Sequence, residues 1–326
     1  MNTSQLEEGH NIYSFAGGWK WYDLQTDDWN TPLIGELRTQ FPNTTRWLDL
    51  APTLLDKNYL SVFFPDGIDP VMMGTILYTV VNDLNDKHSD EQFYFYVDDE
   101  VLITFNMDEI TRGAMRDQSR VSMMHQCASP IEGMFVLSRV ILHYFHAGMD
   151  KFEHRLRKLE SEMRKHNKRY LMDSILTSRF ELIFWNNLFV SFQELITASK
   201  EGYLDRLDDS RFFKQLLYRV ERMEKLFRHY EQEIDTLVSI DDAIAGFRGN
   251  EIMKTLTIMT VIFTPATVVG AIWGMNFDNL PLIKFPWGFT ASILLTLVLT
   301  VGMYIWMHMK GWTGDILRAK SRDKNI

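Results

Sequence analysis

The chain has 326 residues, of which 46% are hydrophobic and 24% are charged, and its formal net charge is −9 at pH 7. A chain this acidic is poorly matched to the phosphate backbone of a nucleic acid, so the composition argues against a nucleic-acid partner. A single cysteine, Cys127, excludes a disulfide framework within the chain.

The first 128 residues carry both strand and helix patterns and are predicted to form an α/β domain. Residues 93–97 and 101–105 are apolar and aromatic runs on either side of a polar turn, a pattern typical of a β-hairpin. A shorter strand is predicted at residues 47–50. Pro70 is well placed to start a helix, because apolar residues follow it at helical spacing. The apolar positions of this predicted helix are Met72, Met73, Ile76, Leu77, Val80, Val81 and Leu84.

Residues 129–249 are predicted to form a helical stalk, since strand patterns disappear and helical periodicity dominates. A first helix is predicted over residues 131–166 and a second over 169–198, with Gly202 in the break that follows.

A third helix is predicted to start near Asp208, Asp209 and Ser210, whose side chains are suited to an N-cap. It meets no proline before Pro265 and is expected to continue directly into the first apolar run. Such a helix has about 60 residues and, at 1.5 Å each, a length of ~90 Å. Apolar residues at helical spacing along it predict a seam that packs against neighbouring helices.

Two apolar runs, residues 256–273 and 287–309, are predicted to be transmembrane helices. About 20 predominantly apolar residues are needed to cross the hydrocarbon core of a bilayer. No Asp, Glu, Lys or Arg occurs in residues 256–273 or 289–307. Residues 250–309 are therefore interpreted as a transmembrane hairpin.

The tail, residues 310–326, is basic, whereas the charged residues of the loop between the two runs are only Lys284 and Asp278. The positive-inside rule predicts that the tail and both termini lie in the cytoplasm, so most of the chain is cytosolic. We therefore expect a multi-pass protein of the cell (inner) membrane. The tail contains Lys310, Arg318, Lys320, Arg322 and Lys324, against Asp315 and Asp323.

A polar row runs along the first predicted span in alternating steps of three and four residues, a spacing that holds one face toward helix partners. Threonine hydroxyls on that face suit water better than lipid, so the row predicts the lining of a pore. The alternative is that the hydroxyls bond to carbonyls of their own helix or to neighbouring helices. Two helices do not enclose a channel, so a pore requires a cyclic oligomer. The row consists of Asn250, Met253, Thr257, Thr260, Thr264, Thr267 and Ala271.

Pro265 lies within the same span and leaves the carbonyl of Val261 without an amide partner. Two roles remain open for this proline, a functional gate and a simple packing kink.

Three segments around this span resemble one known family. They are Asn250-Glu251-Ile252-Met253-Lys254, Phe263-Thr264-Pro265, and Trp273-Gly274-Met275-Asn276-Phe277 followed by Leu280-Pro281. These segments look like those of the CorA magnesium channels of the two-helix, Gly-Met-Asn superfamily.

The resemblance implies an α+β membrane protein that assembles as a funnel-shaped homopentamer in the lipid membrane. It implies uptake of Mg²⁺, and also of Co²⁺ or Ni²⁺, with no cofactor. Gly274, Met275 and Asn276 would form the selectivity filter, with Asn276 as its outer ring. Thr267 would form a polar ring inside the filter. Nearer the cytosol, the resemblance places an apolar constriction at Met253 and Leu256, and the inner end of the pore at Asn250.

The sequence departs from the family's pattern at three places. Thr264 replaces the bulky apolar residue usual at its position, and Leu282 stands where Glu is frequent. Asp278 is then the only acid of the outer loop that attracts cations. Gln215 falls where a stalk Asp of the family joins a regulatory magnesium site. Asp205, Asp208 and Asp209 are the alternative candidates, and closure by cytosolic Mg²⁺ is expected to be weak or differently located.

Two other functions remain open. A zinc transporter of the same superfamily would use ligands such as His125, Cys127, His143 and His146, although no fuller zinc pattern surrounds them. A membrane-anchored helical scaffold would conduct nothing. An enzyme has the least support, because the sequence contains no G-x-S-x-G, H-E-x-x-H or G-x-x-x-x-G-K-[ST] motif.

Overall fold

The computed structural model describes residues 3–6, 10–79, 91–165, 170–276 and 285–312. The chain divides into two compact units, Met1–Val238 and Ser239–Ile326. The first unit contains a β-sheet with helices on both faces, and the second contains two helical segments, residues 239–273 and 288–309.

The sheet of the first unit has seven strands in the order β1-β2-β3-β7-β6-β5-β4. Neighbouring strands are antiparallel except β3 and β7, which are parallel. The predicted hairpin is confirmed as β6 and β7. The strands are β1 (Thr3–Leu6), β2 (His10–Ser14), β3 (Lys20–Leu24), β4 (Tyr59–Phe63), β5 (Val71–Tyr78), β6 (Glu91–Val97) and β7 (Val101–Phe105).

Side chains alternate between the two faces of the sheet and build a separate core on each. On β6, Phe93 and Phe95 belong to one core, whereas Tyr94 and Tyr96 belong to the other. The core that contains Phe93 continues into the long helices of the first unit. Both faces of the central strands are therefore buried, and such strands are apolar almost throughout.

Among the described residues, four short α-helices precede the long ones: α1 (Pro32–Gln40), α2 (Thr45–Leu50), α3 (Glu109–Met115) and α4 (Gln118–Gln126). The strand predicted at residues 47–50 is wrong, because this segment is α2. Trp47 of α2 is fully buried, with its ring 5.6 Å from Tyr96 and 5.7 Å from Phe105. A short apolar run carries too little periodicity to separate a strand from a helix, and burial against the sheet decides in favour of the helix.

The prediction of a helix after Pro70 is also wrong, because Val71–Tyr78 is strand β5. Met72 and Ile76 lie in one core and Met73 in the other. A strand buried on both faces is continuously apolar, so it also satisfies the i, i+3, i+4 spacing of a helix by chance. Val80, Val81 and Leu84 of that prediction lie outside the described residues.

The three long helices are confirmed as α5 (Pro130–Lys165), α6 (Tyr170–Tyr203) and α7 (Arg211–Trp273). The backbone N–H of Phe213 donates to Oγ of Ser210 over 3.2 Å, which is the predicted cap. Gly202 lies inside α6 and not in a break. A Cβ at this position would approach Cγ1 of Val62 to 3.1 Å, so the glycine allows α6 to pack closely on β4.

Candidate pore-lining helix

Two helices of the described residues are long and apolar enough to cross a membrane. One is α7 and the other is α8 (Gly288–Met309). Helix α7 runs without interruption through Pro265. The end of α7 and the whole of α8 coincide with the two predicted apolar runs.

One side of α7 in the second unit is buried and faces α8. Ile258, Pro265 and Val269 are buried on α7. Ile258 and Met307 of α8 line the same cavity of about 280 Å³. Successive residues of an α-helix are about 100° apart, so Ile258, Pro265 and Val269 form one stripe along the helix.

The polar row lies on roughly the opposite side of α7, because Thr260, Thr264 and Thr267 project away from the stripe that faces α8. Thr257 lies nearer α8 and contributes to the rim of the cavity lined by Ile258. The structure thus keeps the row together along one continuous helix, and its role as a pore lining stays a prediction. All eight predicted lining residues are exposed in the single chain: Asn250, Met253, Leu256, Thr257, Thr260, Thr264, Thr267 and Ala271.

Each threonine of the row donates its hydroxyl hydrogen to the carbonyl four residues earlier. The distances are 2.8 Å for Thr257, 2.9 Å for Thr260, 2.6 Å for Thr264 and 3.1 Å for Thr267. This back-bonded arrangement is the one that the sequence left open as the alternative to a pore lining. A hydroxyl has one hydrogen but two acceptor lone pairs, so the exposed oxygens can still accept hydrogen bonds. The row therefore presents acceptors and no free hydroxyl donors.

The Gly-Met-Asn triplet ends α7. The backbone N–H of Gly274 donates to the carbonyl of Gly270 over 2.9 Å. A Cβ at Gly274 would approach that carbonyl oxygen to 2.7 Å, closer than real side chains come, so the last turn needs a glycine here. Met275 and Asn276 are exposed directly after it. Asp278, predicted to attract cations, lies outside the described residues.

The candidate regulatory acids Asp205, Asp208 and Asp209 are exposed around the start of α7. Gln215 accepts a hydrogen bond from the guanidinium of Arg139. Within the described parts of the single chain, no group of three or more His, Cys, Asp or Glu side chains is placed to hold a metal ion. A regulatory role for these acids stays a prediction.

The residues named for the zinc alternative do not form such a group either. His125 contacts Phe15 edge-on, with ring centroids 5.4 Å apart, and His143 is exposed on α5. Nδ1 of His146 is buried and has no hydrogen-bond partner among the described residues. Cys127 is buried, and burial together with the nearby charge of Glu132 raises the pKa of its thiol to about 12.

The chain combines an α/β domain, long helices and two C-terminal apolar helices, and the first apolar helix carries a polar row. These features define the class as a membrane transport protein with two spans. The sequence model of the family described as CorA-like Mg2+ transporter protein matches residues 17–309. The chain belongs to this family, which confirms the resemblance noted in the sequence. As a family member it is a divalent-cation transporter of the membrane.

Individual relatives agree with this assignment. The chain is 28% identical over 306 residues to the magnesium transport protein CorA of Bacillus subtilis (strain 168), covering 94% of this chain and 95% of that protein. It is 23% identical over 231 residues to the cobalt/magnesium transport protein CorA of Methanocaldococcus jannaschii, covering 67% and 70% of the two chains. The complete structure of the CorA magnesium transporter from M. jannaschii superposes with a TM-score of 0.66 at 20% identity and covers 95% of both chains. This likeness confirms the predicted fold class of the single chain, and the funnel-shaped homopentamer stays a prediction.

Proposed function

We propose that this chain forms a homopentameric channel for Mg²⁺ uptake, with Co²⁺ and Ni²⁺ as further permeant ions. The pore is lined by the polar row of α7, and Asn276 stands at its outer mouth. The names of the B. subtilis and M. jannaschii relatives support Mg²⁺ and Co²⁺ as cargo.

One observation carries this proposal. Thr260, Thr264 and Thr267 are exposed in the apolar half of α7, on roughly the opposite side from the stripe that faces α8. Polar side chains within transmembrane helices usually face a bundle interior or a water-filled cavity. Two spans do not enclose a cavity, so copies of α7 arranged around an axis supply the missing walls.

The hydrogen bonds of the row suit a hydrated cation. Mg²⁺ gives up its water reluctantly and keeps several waters when it binds to proteins. Water bound to a cation through oxygen points its hydrogens outward and needs acceptors. The threonine hydroxyl hydrogens are already donated to helix carbonyls, so their oxygens face the passing ion as acceptors.

Asn276 suits the outer mouth for a related reason. Its amide oxygen accepts from the waters of the ion, and its amide hydrogens can brace a neighbouring copy. A neutral amide binds the ion more weakly than a carboxylate, and conduction requires binding weak enough for the ion to leave.

The membrane potential supplies the driving force. At ~2.3 kcal/mol per charge per 100 mV, an entering divalent ion gains ~4.6 kcal/mol. The basic tail, residues 310–326, supports an orientation with both termini in the cytoplasm of a cell (inner) membrane.

Control by cytosolic Mg²⁺ is weak or located elsewhere in this proposal. Gln215 carries no negative charge to attract a divalent ion, and its side-chain oxygen already accepts a hydrogen bond from Arg139. Asp205, Asp208 and Asp209 are the candidate acids for any regulatory site shared between copies.

A flux assay tests the proposed function. The full chain is reconstituted in liposomes that contain a dye sensitive to divalent ions, and Mg²⁺, Co²⁺, Ni²⁺ and Zn²⁺ are added in turn. We expect Mg²⁺ entry, loss of Mg²⁺ selectivity in Asn276→Ala with the oligomer intact, and unchanged flux in Asn187→Ala, an exposed position on α6. Zinc entry without magnesium entry would favour the zinc transporter, and no entry of any ion would favour the scaffold.

A further inference from the structure

A basic cavity of about 210 Å³ lies in the first unit, where α4, α5 and α7 meet. Arg120 comes from α4, Arg139 from α5 and Arg219 from α7, and all three side chains line it. Val136 and Val140, both buried, form its apolar part. Three guanidinium groups thus share one small concave space in a chain whose net charge is −9.

The hydrogen bonds of these arginines go to neutral acceptors. Arg219 donates to the backbone carbonyl of Arg139 over 2.7 Å, and Arg120 donates to the carbonyl of Ala114 over 2.9 Å. Arg139 donates to the side-chain oxygen of Gln215. An arginine has five N–H donors, so each retains donors beyond these bonds.

No carboxylate within the described part of the chain lies at ion-pair distance from these three arginines. Asp117, at the start of α4, accepts a hydrogen bond from the hydroxyl of Ser119. Further along α7, by contrast, Arg228 pairs with Glu224 over 2.6 Å. The charge of Asp117 acts on Arg120 from beyond ion-pair distance. Arg139 and Arg219 have no carboxylate at ion-pair distance within the described residues, so the cavity concentrates positive charge that is only partly offset.

This arrangement is electrostatically unfavourable as it stands. Nε of Arg139 is buried and has no acceptor among the described residues. Burial and the charge of Arg211 lower the pKa of Arg139, and burial and the charges of Arg139 and Arg222 lower that of Arg219. A bound anion would accept the spare hydrogen bonds and relieve the repulsion together.

We propose that this cavity is an oxyanion site, which takes a phosphoryl group of a small soluble phosphate compound. The planar fork of arginine matches the oxygens of this group. The volume suits a single such group and not a whole nucleotide. The site lies outside the polar row of α7 and is independent of the proposed ion conduction.

Calorimetric titration tests whether the cavity binds a free anion. The full-length protein in detergent is titrated with sodium phosphate, and sodium chloride at equal ionic strength is the control. We expect saturable phosphate binding that chloride does not reproduce. Arg139→Gln and Arg219→Gln should each weaken it by about tenfold, or roughly 1.4 kcal/mol. Arg120 is half-exposed, so Arg120→Gln is a third variant that is less prone to misfold. Arg228→Gln is the control outside the cavity and should bind phosphate as the unaltered protein does.

Native mass spectrometry of the same samples tests a rival occupant, a carboxylate from a second copy of this chain. In that case phosphate produces no binding heat, and Arg120→Gln together with Arg219→Gln shifts the assembly to smaller masses, which would overturn the proposal. Phosphate binding that survives all three substitutions would also overturn it. So would an absence of phosphate binding with an unchanged assembly.

Discussion

The hydroxyl of Thr264 donates a hydrogen bond of 2.6 Å to the backbone carbonyl of Thr260, one turn earlier on α7. The hydroxyl of Thr260 in turn donates to the carbonyl of Leu256 over 2.9 Å. Bonds of this kind fix the direction of each hydroxyl hydrogen and leave the oxygen free to accept. Back-bonding and a pore lining are therefore compatible for these threonines.

Thr264→Val tests the acceptor role, because valine keeps the shape and removes the oxygen. A net hydrogen bond is worth about 1 kcal/mol, so Mg²⁺ flux should fall roughly fivefold or more, whereas Thr264→Ser should retain most of it. Thr300→Val is the matched control, since Thr300 makes the same kind of bond on α8, to Thr296 over 2.9 Å. Equal flux in the Thr264 and Thr300 valine variants would show that the hydroxyl only stabilises its own helix.

Gly274→Ala should abolish ion flux while the protein still assembles. The added Cβ would lie 2.7 Å from the carbonyl oxygen of Gly270, so the last turn of α7 must open and displace Asn276. Gly302→Ala on α8 should be tolerated, because a Cβ there meets nothing within 4 Å. Liposome flux and native mass spectrometry measure the two effects. Normal flux in Gly274→Ala would mean that the tight turn does not position the filter.

A buried ion pair joins α3 to β3. Nε of Arg112 lies 2.9 Å from Oδ2 of Asp23, and the two side chains are only 3% and 2% exposed. Asp23→Asn leaves the guanidinium with the exposed carboxylate of Glu109, 2.9 Å from Nη1, in place of its buried partner. Loss of the buried partner should cost about 3 kcal/mol of folding free energy. Thermal denaturation of the full chain measures the change.

Asp49→Asn is the control for that substitution. Asp49 pairs with Arg38 over 2.7 Å, but its side chain is 61% exposed. Surface pairs contribute about 0–1 kcal/mol, so the melting temperature should hardly change. A similar melting temperature for Asp23→Asn and Asp49→Asn would contradict a structural role for the buried pair.

Cys127 should resist thiol reagents in the folded protein. Burial raises the pKa of its thiol from 9.0 to about 12, so the reactive thiolate is scarce at pH 9, whereas an unfolded chain ionises near the ordinary value. A rise in pH through this interval favours the unfolded state, because the unfolded thiol loses its proton first. Labelling at pH 9 with and without denaturant checks this, and rapid labelling of the native protein would contradict it.

The helical half of the fold follows from the sequence more directly than the sheet. Long periodic segments without proline predict α5, α6 and α7, because their periodicity is repeated over many turns. The strand Val71–Tyr78 is misassigned, since burial on both faces removes the alternation that marks a strand. Trp47 likewise belongs to a helix that only packing against the sheet reveals.

The candidate pore lining could be predicted because its residues lie on one helix at regular spacing. The basic cavity could not, because Arg120, Arg139 and Arg219 are far apart in the sequence and only the packing of three helices brings them together.

The pore is tested by introducing Thr267→Cys in a Cys127→Ser background, so that position 267 carries the cysteine to be modified. The protein is reconstituted in liposomes, and a charged, water-soluble methanethiosulfonate reagent is added during Mg²⁺ flux. Leu297→Cys, exposed on α8, is the reference for a position that faces lipid. If this face of α7 lines a water-filled pore, we expect rapid modification at position 267 that blocks Mg²⁺ entry, and little modification or block at position 297. Equally slow modification at both positions, with Mg²⁺ entry unaffected, would contradict a water-filled passage along this face of α7.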